Sequence, residues 1–142
     1  MVCSFFGHRD SDENVKIKIR EVIVDLIENE GVLEFYVGNN GAFDRYVQKI
    51  LYEISKKYNN ISYGIVLSYI NEKAASGDQE STIFPEELDN SIPKFAISKR
   101  NNWMIKRSDI LVVYVKNKIS NSYKLMNAAL GRDLKVINLA DL

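Results

Sequence analysis

The stretch EFYVGNNGAFDRYVQKIL, residues 34–51, reads as a strand, a tight turn and a helix in immediate succession. Glu34, Phe35, Tyr36 and Val37 form a β-rich run, and beyond GNNG the apolar residues Phe43, Val47, Ile50, Leu51 and Ile54 recur at helical spacing. The joint holds two glycines and two asparagines, residue types that enter left-handed backbone more readily than others. A helix opening on such a turn has orphan amide N–H groups, and these suit an anion. Gly38, Asn39, Asn40 and Gly41 therefore form either a phosphate cradle or a plain connector, because a GxxG turn alone is a weak signal.

Outward from this unit the same alternation continues. A strand is predicted over 2–6, ending in GHRD, followed by a helix over 14–30 whose face is Val15, Ile19, Val22, Ile23, Leu26 and Ile27. Ser11 or Asp12 is the expected cap and Gly31 the stop. The second strand spans 33–37, its helix 43–58, and the third strand 61–69. Residues 70–93 carry both prolines and read as a loop, long enough to suggest a lid or a binding loop. A helix over 94–107, a strand over 109–115, a short helix over 122–132 and a last strand over 135–139 complete the pattern.

Strands that alternate with helices imply parallel pairing through right-handed crossovers. The nearly continuous apolar runs DILVVYV and GIVLSY fit strands covered on both faces. The predicted fold is an α/β Rossmann-like three-layer sandwich with a five-stranded, mainly parallel sheet in the order 3-2-1-4-5, one domain over 1–142.

Composition narrows the function classes. With 19 basic and 19 acidic residues interspersed and a formal net charge of +0, no basic run marks a nucleic-acid footprint. No stretch is apolar enough to span a bilayer, and the N-terminus lacks the features of a signal peptide, so a cytoplasmic protein is expected. The single cysteine, Cys3, sits in a strand-like VCSFF setting and reads as packing rather than as a nucleophile. One cysteine and one histidine cannot make a conventional structural zinc site, and neither a metal nor a cofactor is expected.

In such a sheet, ligands bind beyond the carboxyl ends of the strands where the strand order reverses. Strand one ends there in Gly7, His8, Arg9 and Asp10, strand two in GNNG, and strand four in the loop over 116–122. His8 is either a general base or a hydrogen-bonding residue that seats a base, a ribose or the first turn. Arg9 either holds a phosphate or pairs with Asp10 or Asp12. In KFAISKRNNWMIKRSD, the spacing puts Ala96, Arg100, Trp103, Met104 and Arg107 on neighbouring helix faces. Arg100 then projects beside a buried aromatic and needs a partner, either a carboxylate such as Asp109 or an anionic ligand.

The segments CSFFGHRD, FYVGNNGAFDRYV, TIFPEELDNSIPKFAISKRNNWMIKRSD and KVINL, in this order, resemble the SLOG superfamily, and within it the small YpsA-like bacterial members. That superfamily joins Lonely Guy phosphoribohydrolases, the Rossmann-like part of DNA-processing protein A, and sensor domains for nucleotide-derived signals. The resemblance implies a pocket for a nucleotide-derived small molecule, often ADP-ribose-like, and a homodimer or higher homo-oligomer. Gly7 and His8 match the first family turn; Gly38, Asn39, Gly41 and Asp44 match the second strand–turn–helix motif. Arg100, Asn101, Trp103, Met104, Ser108 and Asp109 match the helix before the fourth strand.

One family feature is absent. Lonely Guy enzymes pair an arginine of a similar helix with a glutamate just after a glycine-rich loop. Here Ser120, Asn121 and Ser122 stand in place of the glycines, and no Glu or Asp occurs between Lys116 and Leu130. Cleavage of an N-glycosidic bond develops oxocarbenium character that a carboxylate stabilises, so catalysis of that type is disfavoured. The hydroxyls and amide of Ser120, Asn121 and Ser122 still donate to phosphate or ribose, so binding is expected to survive. The leading expectation is a sensor or sequestering protein. The alternatives are a nucleotide hydrolase using His8, Asp10, Asp44 or an acid within 80–87, and a scaffold or DNA-associated partner.

Overall fold

The structure, a computed structural model, describes residues 1–69, 81–88 and 93–142, without the side chains of Pro93 and Lys94. The central strand β1 (Val2–Gly7) leads into helix α1 (Val15–Glu30), then β2 (Glu34–Val37), α2 (Ala42–Lys57) and β3 (Ser62–Val66). A two-residue strand β4 (Thr82–Ile83) and a 3-10 turn (Glu86–Leu88) precede α3 (Pro93–Lys106), β5 (Ile110–Tyr114), α4 (Asn121–Leu130) and β6 (Lys135–Asn138). A final 3-10 turn covers Leu139–Asp141. The sheet order is β4-β3-β2-β1-β5-β6, and every pair is parallel. It is the predicted Rossmann-like sandwich with six strands instead of five. The added strand is β4, two residues long and too short to leave a periodicity; its amide partners are Ile65 and Leu67. The rest of the expected loop, 70–80 and 89–92, lies outside the described residues.

Successive strand residues point to opposite faces, and the two cores follow from that. Cys3 and Phe5 of β1, Phe35 and Val37 of β2, and Ile110 and Val112 of β5 pack with α1 and α2. Phe6, Leu111 and Val113 point the other way, toward Met104 and Ile105 of α3 and Ala129 of α4. The α1 stripe is the predicted one, with Val15, Ile19, Val22, Ile23, Leu26 and Ile27 all buried. Gly31 ends the helix in left-handed backbone at φ 69°, as expected of a glycine stop. The expected N-terminal cap is corrected. Asn14 holds the cap position without a side-chain bond, and the Ser11 hydroxyl instead donates to the carbonyl of His8 at 2.7 Å. Among the described residues no helix is long and apolar enough to cross a membrane.

Cys3 is fully buried between β2 and β5, and burial pushes its thiol well above the ordinary range. Its folded value is raised above its unfolded one. The stability tied to the protonated thiol is therefore complete below the unfolded pKa and declines as pH rises beyond it, above about 8.5. The native protein should leave this thiol unlabelled by a disulfide reagent at pH 8 and expose one equivalent on unfolding in guanidinium. The stability difference between wild type and Cys3→Ala should shrink between pH 8 and 10, read from denaturant titrations; equal labelling of native and unfolded protein would contradict the buried position.

Candidate functional site

Three loops meet at the carboxyl ends of β1, β2 and β5, and they are tied by named bonds. The Lys116 amide donates to His8 Nε2 at 2.8 Å, joining the β1 and β5 loops. This makes His8 a hydrogen-bond acceptor at Nε2, a positioning role that fixes the proton on Nδ1 in the neutral ring. The His8 ring also meets Tyr114 edge-on, with centroids 6.1 Å apart. The Ala42 amide donates to the Arg9 carbonyl at 2.7 Å, joining the β1 loop to the start of α2. Arg9 Nη2 donates to Asn40 Oδ1 at 2.7 Å; Arg9 thus serves the neighbouring turn, and neither Asp10 nor Asp12 is its partner.

The GNNG turn uses its special residues for packing. Of its four residues only Gly41 has positive φ, at 110°, and a Cβ there would lie 2.6 Å from the Arg9 Cα. Gly38 has ordinary φ; its missing Cβ makes room for Arg100, whose guanidinium carbon lies 2.8 Å from the place a Cβ would take. Asn39 accepts from Gln48 Nε2 at 2.9 Å, and the same nitrogen donates to the Gly38 carbonyl at 2.9 Å. Gln48 is fully buried on the mostly apolar inner face of α2, one turn after the buried Asp44, and that amide among apolar residues was the signal in the sequence for its role.

Two of the amides expected to be open at this turn are taken from within the chain. The Asn40 N–H donates to Asp44 Oδ2 at 2.9 Å, and the Ala42 N–H is taken by Arg9. Asp44 stands in the first turn of α2, where a carboxylate also interacts favourably with the helix dipole. The chain supplies its own anion at the mouth of α2.

The start of α4 differs. Ser120 caps it, its hydroxyl accepting from the Tyr123 amide at 3.1 Å and donating to the Asn117 carbonyl at 2.9 Å. The amides of Asn121 and Ser122 have no acceptor among the described residues. Asn121 is exposed and Ser122 buried.

Arg100 lies only 3% exposed on the inward stripe of α3, with Ala96 and Met104 one turn to either side. Its Nε and Nη2 both donate to Asn101 Oδ1, at 3.1 and 2.8 Å, so a neutral amide oxygen orients the guanidinium. Asp109, expected as an internal partner, is at the far end of the sheet and accepts from the Val2 amide at 2.9 Å. Trp103 stands edge-on to Tyr36 at 5.3 Å under the Arg107 guanidinium, 4.0 Å from its ring centre, and is a packing residue.

These pieces enclose a cleft of about 290 Å³. Gly7, His8, Arg9, Asn40, Asp44, Arg100, Asn101, Ser120, Asn121 and Ser122 line it; Gly38, Asn39 and Gly41 stand behind the wall as supports. Sequence reasoning did not assign Ile97, Asn117 or Leu125, which also line it and carry no motif of their own. A second cleft of about 260 Å³ adjoins the first across His8, Asp10 and Asn117, and is closed by Ser11, Asp12, Tyr114 and Lys116. The Tyr114 hydroxyl beside Lys116 raises the affinity of the ammonium for its proton, keeping that rim cationic. Among the described residues, no group of three or more His, Cys, Asp or Glu side chains converges to hold a metal. A scan against protein-family models finds no match to this chain, and a search of the curated proteins finds none either.

The Asp44 bond to the turn is a charged hydrogen bond in a buried position. Asp44→Ala should lower the unfolding free energy by about 1.5–3 kcal/mol. Hydrogen exchange of the Asn40 amide should accelerate in the same variant by more than global stability explains. An unchanged denaturation midpoint would mean that the turn holds itself.

Proposed function

We propose that the chain is a small SLOG-type binding protein for a nucleotide-derived anion, an ADP-ribose-like molecule or a cyclic nucleotide, acting as a sensor or sequestering protein. The observation that carries this reading is Arg100: a guanidinium in the wall of the cleft, oriented by Asn101 and admitted there by the bare Cα of Gly38. A fixed guanidinium in a polar cleft suits phosphate, which it holds through paired N–H bonds. The start of α4 borders the same cleft and adds the amides of Asn121 and Ser122, the usual dipole end for an anion. On this reading the phosphate lies between α3 and α4, and the polar rim of His8, Asp10 and Asn117 faces the sugar. The same resemblance extends the proposal to a homodimer or higher homo-oligomer, and the single cysteine extends it to a reducing cytoplasm.

Hydrolysis of the ligand is the second reading, favoured by one observation: the carboxylates Asp10 and Asp44 line the cleft together with His8 and Arg100. Against it, Asp44 is committed to the Asn40 amide, and His8 Nε2 is committed to Lys116.

The test is a thermal-shift screen against ADP-ribose, its cyclic isomers, NAD, AMP, cyclic nucleotides and dinucleotides, each recovered for mass analysis. A ligand at about a hundred times its dissociation constant adds roughly 2.7 kcal/mol, a shift of several degrees. Gly38→Ala keeps the charge of Arg100 but forces its guanidinium aside, and should remove most of the shift while the unliganded midpoint stays near wild type. Arg100→Ala should remove it entirely. Ligand recovered intact supports a binding protein, ligand recovered cleaved supports hydrolysis, and no shift from any probe rejects both readings.

A further inference from the structure

A cavity larger than the site cleft is found elsewhere. It is a trough of about 630 Å³ between α1 and α2, on the outer side of the sheet. Four cations border it, Lys16 and Arg20 from α1 and Arg45 and Lys49 from α2, against two carboxylates, Glu21 and Glu53. Glu53 is already paired with Arg20 across the trough. Lys16 reaches Glu13 at 3.6 Å and lies over the Tyr46 ring, 4.7 Å from its centre. Arg45 and Lys49 form no ion pair among the described residues. In a chain of net charge +0 this is a local excess, one helical turn long on each helix.

The floor is apolar. Ile17 is 67% exposed there, beside Tyr46 and the buried Ile50. A solitary exposed isoleucine needs no explanation. One set in a trough between two helices and fenced by cations has the form of an anchor pocket with a charged rim.

We propose that this trough is a docking site for an acidic amphipathic helix of a partner protein. The argument is complementarity of two kinds at one place. A helix lays an apolar ridge into the groove between two packed helices, which the exposed Ile17 and the Tyr46 ring would cover. Carboxylates flanking that ridge meet Arg45 and Lys49 on one side and Lys16 on the other. A nucleic-acid backbone would use the cations and leave Ile17 in water, so the apolar floor decides against a bare polyanion. The trough shares no lining residue with the cleft at the sheet edge, and the proposal does not depend on the ligand assigned to that cleft.

The experiment is a selection from a displayed library of helical peptides, randomised on one face, against the full-length chain. Enriched peptides should carry an aliphatic or aromatic anchor flanked by Glu or Asp. Their dissociation constant, measured by fluorescence anisotropy, should rise roughly tenfold or more with Ile17→Glu and with the Arg45→Glu, Lys49→Glu pair. Each substitution is on the surface, so the thermal midpoint should hold. A peptide with lysines in place of its glutamates should regain affinity for the Arg45→Glu, Lys49→Glu protein, which a merely structural role for those residues would not give. The proposal is overturned if no peptide is enriched, if enriched peptides lack acidic residues, or if they bind both variants as well as wild type. It is overturned equally if a DNA or RNA duplex displaces the peptide with higher affinity, or if Ile17→Glu splits a dimer of this chain, which would make a second copy the occupant.

Discussion

Phe43 can lie against the end of β1 because Gly7 has no side chain; a Cβ there would sit 2.3 Å from the ring. From that contact the rest of the sheet edge is assembled. The Phe43 ring stacks on Tyr114 of β5, 11° from parallel with centroids 6.2 Å apart. Tyr114 in turn meets His8, and His8 accepts the amide that starts the β5 loop. With Phe43 held, α2 begins close enough to the β1 loop for the Ala42 amide to reach the Arg9 carbonyl. Interiors are close-packed and transmit displacement, so a methyl group at residue 7 would be felt in all three loops.

The two helix starts at this edge differ in how their backbone donors are answered. At α2 two backbone donors, the amides of Asn40 and Ala42, are answered from within by Asp44 and by the Arg9 carbonyl, and the glycines serve close approach between segments. At α4 the first amides are left to the cleft. A glycine-poor loop such as Ser120–Asn121–Ser122 limits how near a pyrophosphate comes to the backbone, yet its hydroxyl-capped helix start keeps donors in place. Arg100 of α3 and the first amides of α4 face the same cleft.

The architecture was legible because it depends on periodicity. The stripe of α1, the face of α2 and the unbroken apolar run of β5 are each forced by which side of the sheet a residue meets, and the apolar residues that spacing selected are buried, with Ala42, Asp44 and Gln48 of α2 buried beside them. Convergence at the sheet edge followed from topology alone. Individual partners did not. That Gly38 faces Arg100, or that Asp44 reaches back to Asn40, depends on distances between segments many residues apart. Asp109 looked like a neighbour of Arg100 in sequence, but a full strand length separates a helix's inward arginine from the entry to the next strand. β4 was missed because two residues carry no pattern.

The central position of β1 has a consequence for how the chain acquires its structure. Within the sheet this strand precedes both its neighbours: β2 is complete by residue 37, while β5 begins only at residue 110. At about 5–20 residues per second, that interval occupies roughly 4–15 s of synthesis. Throughout it, one edge of an almost wholly apolar strand has no hydrogen-bonding partner from its own chain. Pairing across so long a separation also makes closure slow, since loop entropy is lost before the contacts form. The nascent chain thus passes through a half-sheet, β1 to β3 with α1 and α2, whose open seam is the strand that later lies between β2 and β5 inside the sheet.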